Sequence, residues 1–343
     1  MKSSFPILHP LHPTPYTLWT GLVVVIAAIL SLPVLFILSN LIGGTGTGEI
    51  WKHLAETVLP TYIANSLWLM LGVSVGVGVI GTGTAWLVTM CRFPGSRLLE
   101  WLLLLPLAAP AYILAYTYTD FLAFYGPVQT ALRTAFGWKS VQDYWFPNVR
   151  SLGGAIAMLT LVFYPYVYLL ARTAFLSQAV SIVEASRSLG CSPWRSFLRV
   201  ALPLARPAIA AGLSLVLMET LADYGTVQFF SVDTFTTGIY RTWFGMGERQ
   251  AASQLSAMLL LFVFWLVLLE RWSRGQARYY QTAARTQQLP TYRLKGLRAI
   301  AALFACLLPV GTWLSGARWR SASDGSRRTQ SDLQSRLLDV CYK

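Results

Sequence analysis

The sequence predicts an all-α polytopic membrane protein, and three observations carry that reading. Of its 343 residues, 55% are hydrophobic and only 12% are charged, where a soluble domain carries about 25% charge. The mean hydropathy is +0.52. The apolar residues also gather in long runs, which suit helices because a helix satisfies its own backbone groups inside lipid and an open strand does not. About 20 residues of helix cross about 30 Å of hydrocarbon. Six runs reach that length, at 18–42, 63–90, 98–122, 152–176, 207–230 and 250–270. A seventh, at 299–315, stands at the short limit.

Residues 1–17 carry a single basic residue, Lys2, before the first run. That run exceeds a signal-peptide core, so it is expected to stay as the first span. The second run holds Gly72, Gly76, Gly78, Gly81 and Gly83. Small residues let neighbouring helices approach closely, which places this helix inside the bundle. Pro33, Pro106, Pro110 and Pro165 fall within runs and predict kinks that packed neighbours tolerate. With the N-terminus in the cytosol, the inner segments hold fifteen basic residues and the outer segments six. Positive charge concentrates on the inner side of a membrane protein, so this asymmetry predicts a cytosolic N-terminus.

This orientation makes 63–270 a core of five spans, 177–206 a cytosolic loop and 271–298 a basic cytosolic linker. The last six basic residues follow the seventh run and would lie outside if it crosses. The tail 316–343 is polar, rich in Ser and Arg and without apolar period, and is read as disordered. Either the seventh run does not insert, or the tail is foreign to the membrane domain.

Several function classes drop out. The net charge of +13 comes from basic residues in short loops between apolar runs, not from a nucleic-acid-binding surface. Cys91, Cys191, Cys306 and Cys341 are scattered without metal or redox spacing and serve as small apolar fillers. His9, His12 and His53 lie outside the runs, which argues against an intramembrane Ser-His site or a histidine metal centre. No GxxxxGK[ST] loop occurs, so any ATP hydrolysis belongs to another polypeptide. No catalytic residue, metal site or cofactor is expected.

The loop 177–206 is too long for a simple turn between helices. Ser181 and Glu184 have the spacing of a capping box, opening a short helix with one small or apolar face. Gly190 suits the left-handed residue that ends a helix. Ser192-Pro193 resembles a fresh cap with proline in the first turn, starting a second helix over 194–200. Leu202-Pro203 and Arg206-Pro207 lead into the next span. Periodicity alone would also fit an amphipathic helix lying in the headgroups.

Glu184, Ala185, Gly190, Leu202 and Pro203 resemble the EAA motif of the permeases of binding-protein-dependent ABC importers, with Ser186 where that motif prefers Ala. The resemblance implies that this loop seats in a groove of a partner ATPase and transmits its closure. Leu107–Tyr116, Gly126–Thr130, Glu219–Val227 and Thr234–Trp243 are similar to the ferric-iron (Fe3+) permeases of that class, over roughly residues 18–298. It implies a six-helix type I importer half, followed by the opening helix of a second half. An ATPase dimer, an extracytoplasmic substrate-binding protein, and a second permease half or second copy of this chain are the implied partners, in a bacterial inner membrane.

Glu219 and Asp223 sit one helical turn apart in an apolar run, about 18 and 24 Å from Pro207 along a helix axis. Carboxylates at such depth face a partner or a watery path. They are read as the hydrophilic wall or outer gate of a translocation path, with Tyr224 and Tyr116 beside them. The alternative is a structural pair with Arg241. The expected function is passage of ferric iron, with thiamine or a phosphonate as alternative cargo and an inactive truncated permease as the alternative state.

Overall fold

A computed structural model describes residues 16–40, 48–177, 188, 190, 192–274 and 292–312. The described residues are almost entirely helical. α1 spans Tyr16–Ser39, α2 Gly48–Thr57 and α3 Leu59–Met90; β1 is Cys91–Arg92, followed by α4 at Ser96–Leu102. α5 (Ala111–Leu122), α6 (Pro127–Phe136) and α7 (Leu152–Leu176) come next. Then follow α8 (Pro193–Ser196), α9 (Leu202–Ala222), α10 (Gly225–Phe229), α11 (Phe235–Tyr240) and α12 (Arg249–Arg274). β2 is Tyr292–Arg293, and α13 covers Leu297–Thr312. Among the described residues five helices are long and apolar enough to cross a membrane, six if the bent pair at 96–136 counts as one broken span.

The centre of the bundle is α3 against α7. Their contact follows the predicted small-residue stripe: Gly72 faces Ile156, Gly76 faces Thr160, and Gly81 faces Tyr164, Val167 and Tyr168. The numbers rise together, so the two helices run parallel. At Gly81 a Cβ would stand 2.8 Å from the Tyr164 carbonyl oxygen and 3.0 Å from the Tyr168 nitrogen. No side chain fits there, and glycine is what allows the backbones to meet. Gly83 has nothing within 4 Å of a built Cβ, so the stripe does not include it. α9 crosses α7 at Gly212, whose Cβ position lies 3.0 Å from the Val167 Cα.

α1 differs in kind. None of its spanning window is buried, and Trp19, Leu30 and Phe36 are each about 70% exposed. An apolar helix with no protein cover is stable in lipid, where its backbone is self-satisfied. It touches α12, where Gln254 donates to the Asn40 carbonyl at 3.4 Å.

Two expected spans are broken. The run 98–122 is not one helix: Ser96–Ala108 and Ala111–Phe136 meet at 97°. Pro106 and Pro110 each remove a backbone donor, and Ala109, ahead of Pro110, is extended at φ −124°, ψ 136°. The run 207–230 stops being helical at Ala222, because Asp223 leaves the helix at φ −70°, ψ 119° and its carboxylate caps Thr226 N–H at 3.1 Å. Glu219 and Asp223 therefore do not share one helix face; Asp223 sits just past the helix end.

The seventh run does form a helix. Ala299, Ala302, Cys306 and Val310 fall on one face of α13 and are buried in the same core as α3 and α7. Its entry is tied down by a parallel bridge, Cys91 to Tyr292 and Arg92 to Arg293, with Leu294 N–H donating to the Arg92 carbonyl at 3.0 Å. Cys91 and Cys306 are both buried free thiols, as apolar fillers should be.

Candidate functional site: a cleft between broken helices

The break at Ala109–Pro110 and the break at Asp223 lie side by side. Between them and α7 is a cleft of about 440 Å3, lined by 107–111, Val162, Phe163, Tyr166, Glu219, Ala222 and Asp223. Segments with spare backbone polar groups are tolerated at membrane depth only where protein or water covers them, and one cleft can serve both breaks.

Glu219 is exposed into this space and Tyr166 stands close enough to feel its charge. Asp223 is partly buried: Oδ1 accepts from Thr226 N–H, and Oδ2 is enclosed with the Thr226 side chain beside it. The two carboxylates thus line one wall, Glu219 exposed and Asp223 held by the α10 turn. Among the described residues, no group of three His, Cys, Asp or Glu side chains could hold a metal ion.

The aromatic candidates divide. Tyr224 is not among the lining residues and stacks on Tyr240 at 3.8 Å. Tyr116 packs edge-on against Phe229 at 5.6 Å, also away from the cleft. Both brace the wall instead of lining it. Arg241 does not pair with either carboxylate; it donates to Asp233 Oδ1 at 2.7 Å. That pair belongs to a separate network, in which Asn65 donates to the Asp233 carbonyl and Thr236 donates to the Asp223 carbonyl. Tyr166 and the 107–111 backbone were missed as lining because single-run periodicity does not show where a helix turns aside.

At the other end of α9 lies the predicted elbow. Glu184, Ala185 and Ser186 lie outside the described residues. Gly190 has φ +75°, the left-handed conformation expected of it. Ser192 Oγ accepts from Arg195 N–H at 3.4 Å, as a cap ahead of Pro193. The second helix, expected over 194–200, does not end there: α8, a π turn at Phe197–Ala201 and α9 form one apolar rod from Trp194 to Ala222. Leu202 N–H reaches back to the Phe197 carbonyl, an i→i−5 bond. Proline at 203 supplies no donor and crowds the carbonyl four residues earlier, and the wider turn relieves that crowding. Trp86, Trp194, Phe197 and Phe175 pack together, with Trp86 and Phe197 at 4.9 Å, and seat the foot of the rod against α3 and α7.

A multi-pass bundle whose interrupted helices meet at a carboxylate-lined cleft defines a membrane permease. The chain belongs to the family described as the binding-protein-dependent transport system inner membrane component, which matches residues 78–274. It is 28% identical over 265 residues to the Fe(3+)-transport system permease protein FbpB 2 of Haemophilus influenzae, covering 77% of this chain and 47% of that protein. It thus spans about half the length of that relative. It is also 26% identical to the molybdenum transport system permease protein ModB of Escherichia coli, over 55% of this chain and 81% of that one. The sulfate transport system permease protein CysT of Escherichia coli is 30% identical over 159 residues, 45% of this chain and 52% of that one. In fold it is similar to a bacterial ABC transporter involved in the import of the acidic polysaccharide alginate, with a TM-score of 0.62 at 16% identity over 77% of this chain and 96% of that one. The all-α half of a type I importer is therefore the architecture of this chain.

Proposed function

We propose that this chain is a permease half of an ATP-driven importer, with ferric iron as its cargo. It receives substrate from an extracytoplasmic binding protein and takes its driving force from a separate ATPase bound at 177–206. Its N-terminus lies in the cytosol, and a second half or second copy completes the pore. The observation that carries this reading is the unbroken rod from Trp194 to Ala222, which joins the elbow directly to Glu219 in the cleft. The π turn at Phe197–Ala201 keeps the helix continuous, so movement at one end is carried to the other. Two carboxylates on the wall favour a cationic cargo, while resemblance to molybdenum and sulfate permeases supports a second reading, a tetrahedral oxyanion.

The test is uptake of radioactive iron, molybdate and sulfate into proteoliposomes holding this chain, its ATPase and its binding protein. ATP-dependent iron uptake supports the first reading; oxyanion uptake alone replaces it with the second. Gly190→Asp should lower co-purification of the ATPase, whereas Glu219→Ala should keep the ATPase and lose uptake. Equal ATPase recovery with both variants and wild type, or none with any, removes the coupling role. Labelling of Ser188→Cys from outside intact cells would reverse the proposed orientation.

A further inference from the structure

The β1–β2 bridge brings together cations that the sequence holds about 200 residues apart. Arg92 and Arg293 are direct partners in a parallel pair, about 4.8 Å apart between strands. Both are exposed, while Cys91 is buried and Tyr292 partly so, so both guanidinium groups leave on the same face. Arg97, Lys295 and Arg298 are exposed within a few residues of them. A cleft of about 470 Å3 opens here, with Arg92, Arg97, Ser96 and Thr89 in its wall. Its one acidic lining residue, Glu100, is engaged with Arg172 at 3.3 Å. Among the described residues, no carboxylate makes an ion pair with any of the five cations.

The flank of this basic patch is apolar and bare. Leu98 and Trp101 on α4 are 64% and 73% exposed, and Leu297 and Ile300 on α13 are 81% and 50% exposed. Cations level with a helix end, beside exposed apolar side chains, match a headgroup-and-tail ligand and not a small anion alone. Like charges held together also oppose the two-residue bridge that docks α13, and a bound anion reverses that repulsion.

We propose that Arg92, Arg97, Arg293, Lys295 and Arg298 form a binding site for the phosphate-bearing headgroup of an anionic phospholipid, which fastens α13 to the bundle. Each cation near such a surface contributes about five-fold in affinity, so removing three should cost about a hundred-fold.

The full-length protein, purified in detergent, is titrated with phosphatidylglycerol, phosphatidylcholine or inorganic phosphate, and bound ligand is counted by native mass spectrometry. Wild type should retain phosphatidylglycerol over phosphatidylcholine, and R92Q/R97Q/R293Q should lose that preference, while R133Q/K139Q, remote from this cleft, should keep it. Phosphatidylglycerol should also raise the melting midpoint of wild type and not of the triple variant. Equal lipid retention by wild type and triple variant overturns the proposal. So does inorganic phosphate displacing the lipid at equal concentration, since it would make the site one for free anions. A triple variant that melts like wild type in lipid-free detergent rules out misfolding; one that melts lower is replaced by R92K/R97K/R293K, which should restore lipid retention.

Discussion

α7 and the segment 96–136 both carry proline in an apolar run, yet one stays a single helix and the other turns through 97°. Pro165 is alone in α7, buried, and flanked by the fully buried Tyr164 and Tyr168, with Gly81 of α3 against the same turn. One lost hydrogen bond is tolerable when packing on all sides fixes the axis. Pro106 and Pro110 are four apart, so the ring of the second crowds the carbonyl of the first, and two successive turns lack a donor. Pro106 is buried, but Pro110 is exposed on the cleft, without the cover that Pro165 has on all sides. Proline content therefore says less about a span than proline spacing and cover do.

The sharpest test of cover is Gly81. Replacing it with Leu forces a side chain into two backbone atoms of α7 and should cost about 3 kcal/mol, read as a lower melting midpoint in detergent. Gly83→Ala, with open space around it, should be neutral or gain up to about 1 kcal/mol. If both variants melt alike, α3 and α7 do not meet as described.

Next in size is the cleft. Glu219→Gln should slow substrate uptake about ten-fold, about 1.4 kcal/mol of barrier, with the melting midpoint unchanged. Pro110→Ala should also slow uptake, whereas Pro165→Ala should leave it intact and shift stability by less than about 1 kcal/mol. Uptake lost in Pro165→Ala and retained in Pro110→Ala would invert the comparison. A smaller effect is expected at Glu100, whose pair with Arg172 is about 30% exposed; Glu100→Gln should cost about 1 kcal/mol or less by the same melt.

The smallest effect is one of pH. Ser140 and Lys139 N–H groups, in that order, hold the exposed Asp143 carboxyl below its ordinary 3.8. Its contribution is present above the unfolded value and is lost as pH falls through the depressed folded one. Hydrogen exchange in 138–144 should stay slow at pH 5 and quicken only below about 3.8. Loosening that begins at pH 5 would show that the carboxylate is not held by those amides.

The helical class, the glycine stripe and the carboxylates of the cleft were legible in the sequence because each follows from composition or spacing along one chain. The breaks were not. Pro106 and Pro110 were visible, but the size of the turn depends on which neighbours cover them. Likewise Asp223 looked like a helix-face partner of Glu219, and only its cap on Thr226 shows that the helix has ended. The alternative of a pair with Arg241 fails because its partner, Asp233, sits in a loop with no periodicity to read. Tyr116 and Tyr224 are not among the residues lining the cleft, and their packing on Phe229 and Tyr240 across the fold has no signal along the chain.

The close crossing at Gly212 also divides the rod from Pro193 to Ala222 into unequal arms. Nineteen residues separate Gly212 from Pro193, about 28 Å, and seven separate it from Glu219, about 10 Å. With Val167 as fulcrum, a swing of about 5 Å at the long end becomes less than about 2 Å at the short one. Such gearing trades distance for force, leaving the Glu219 end to shift by little more than the width of an atom.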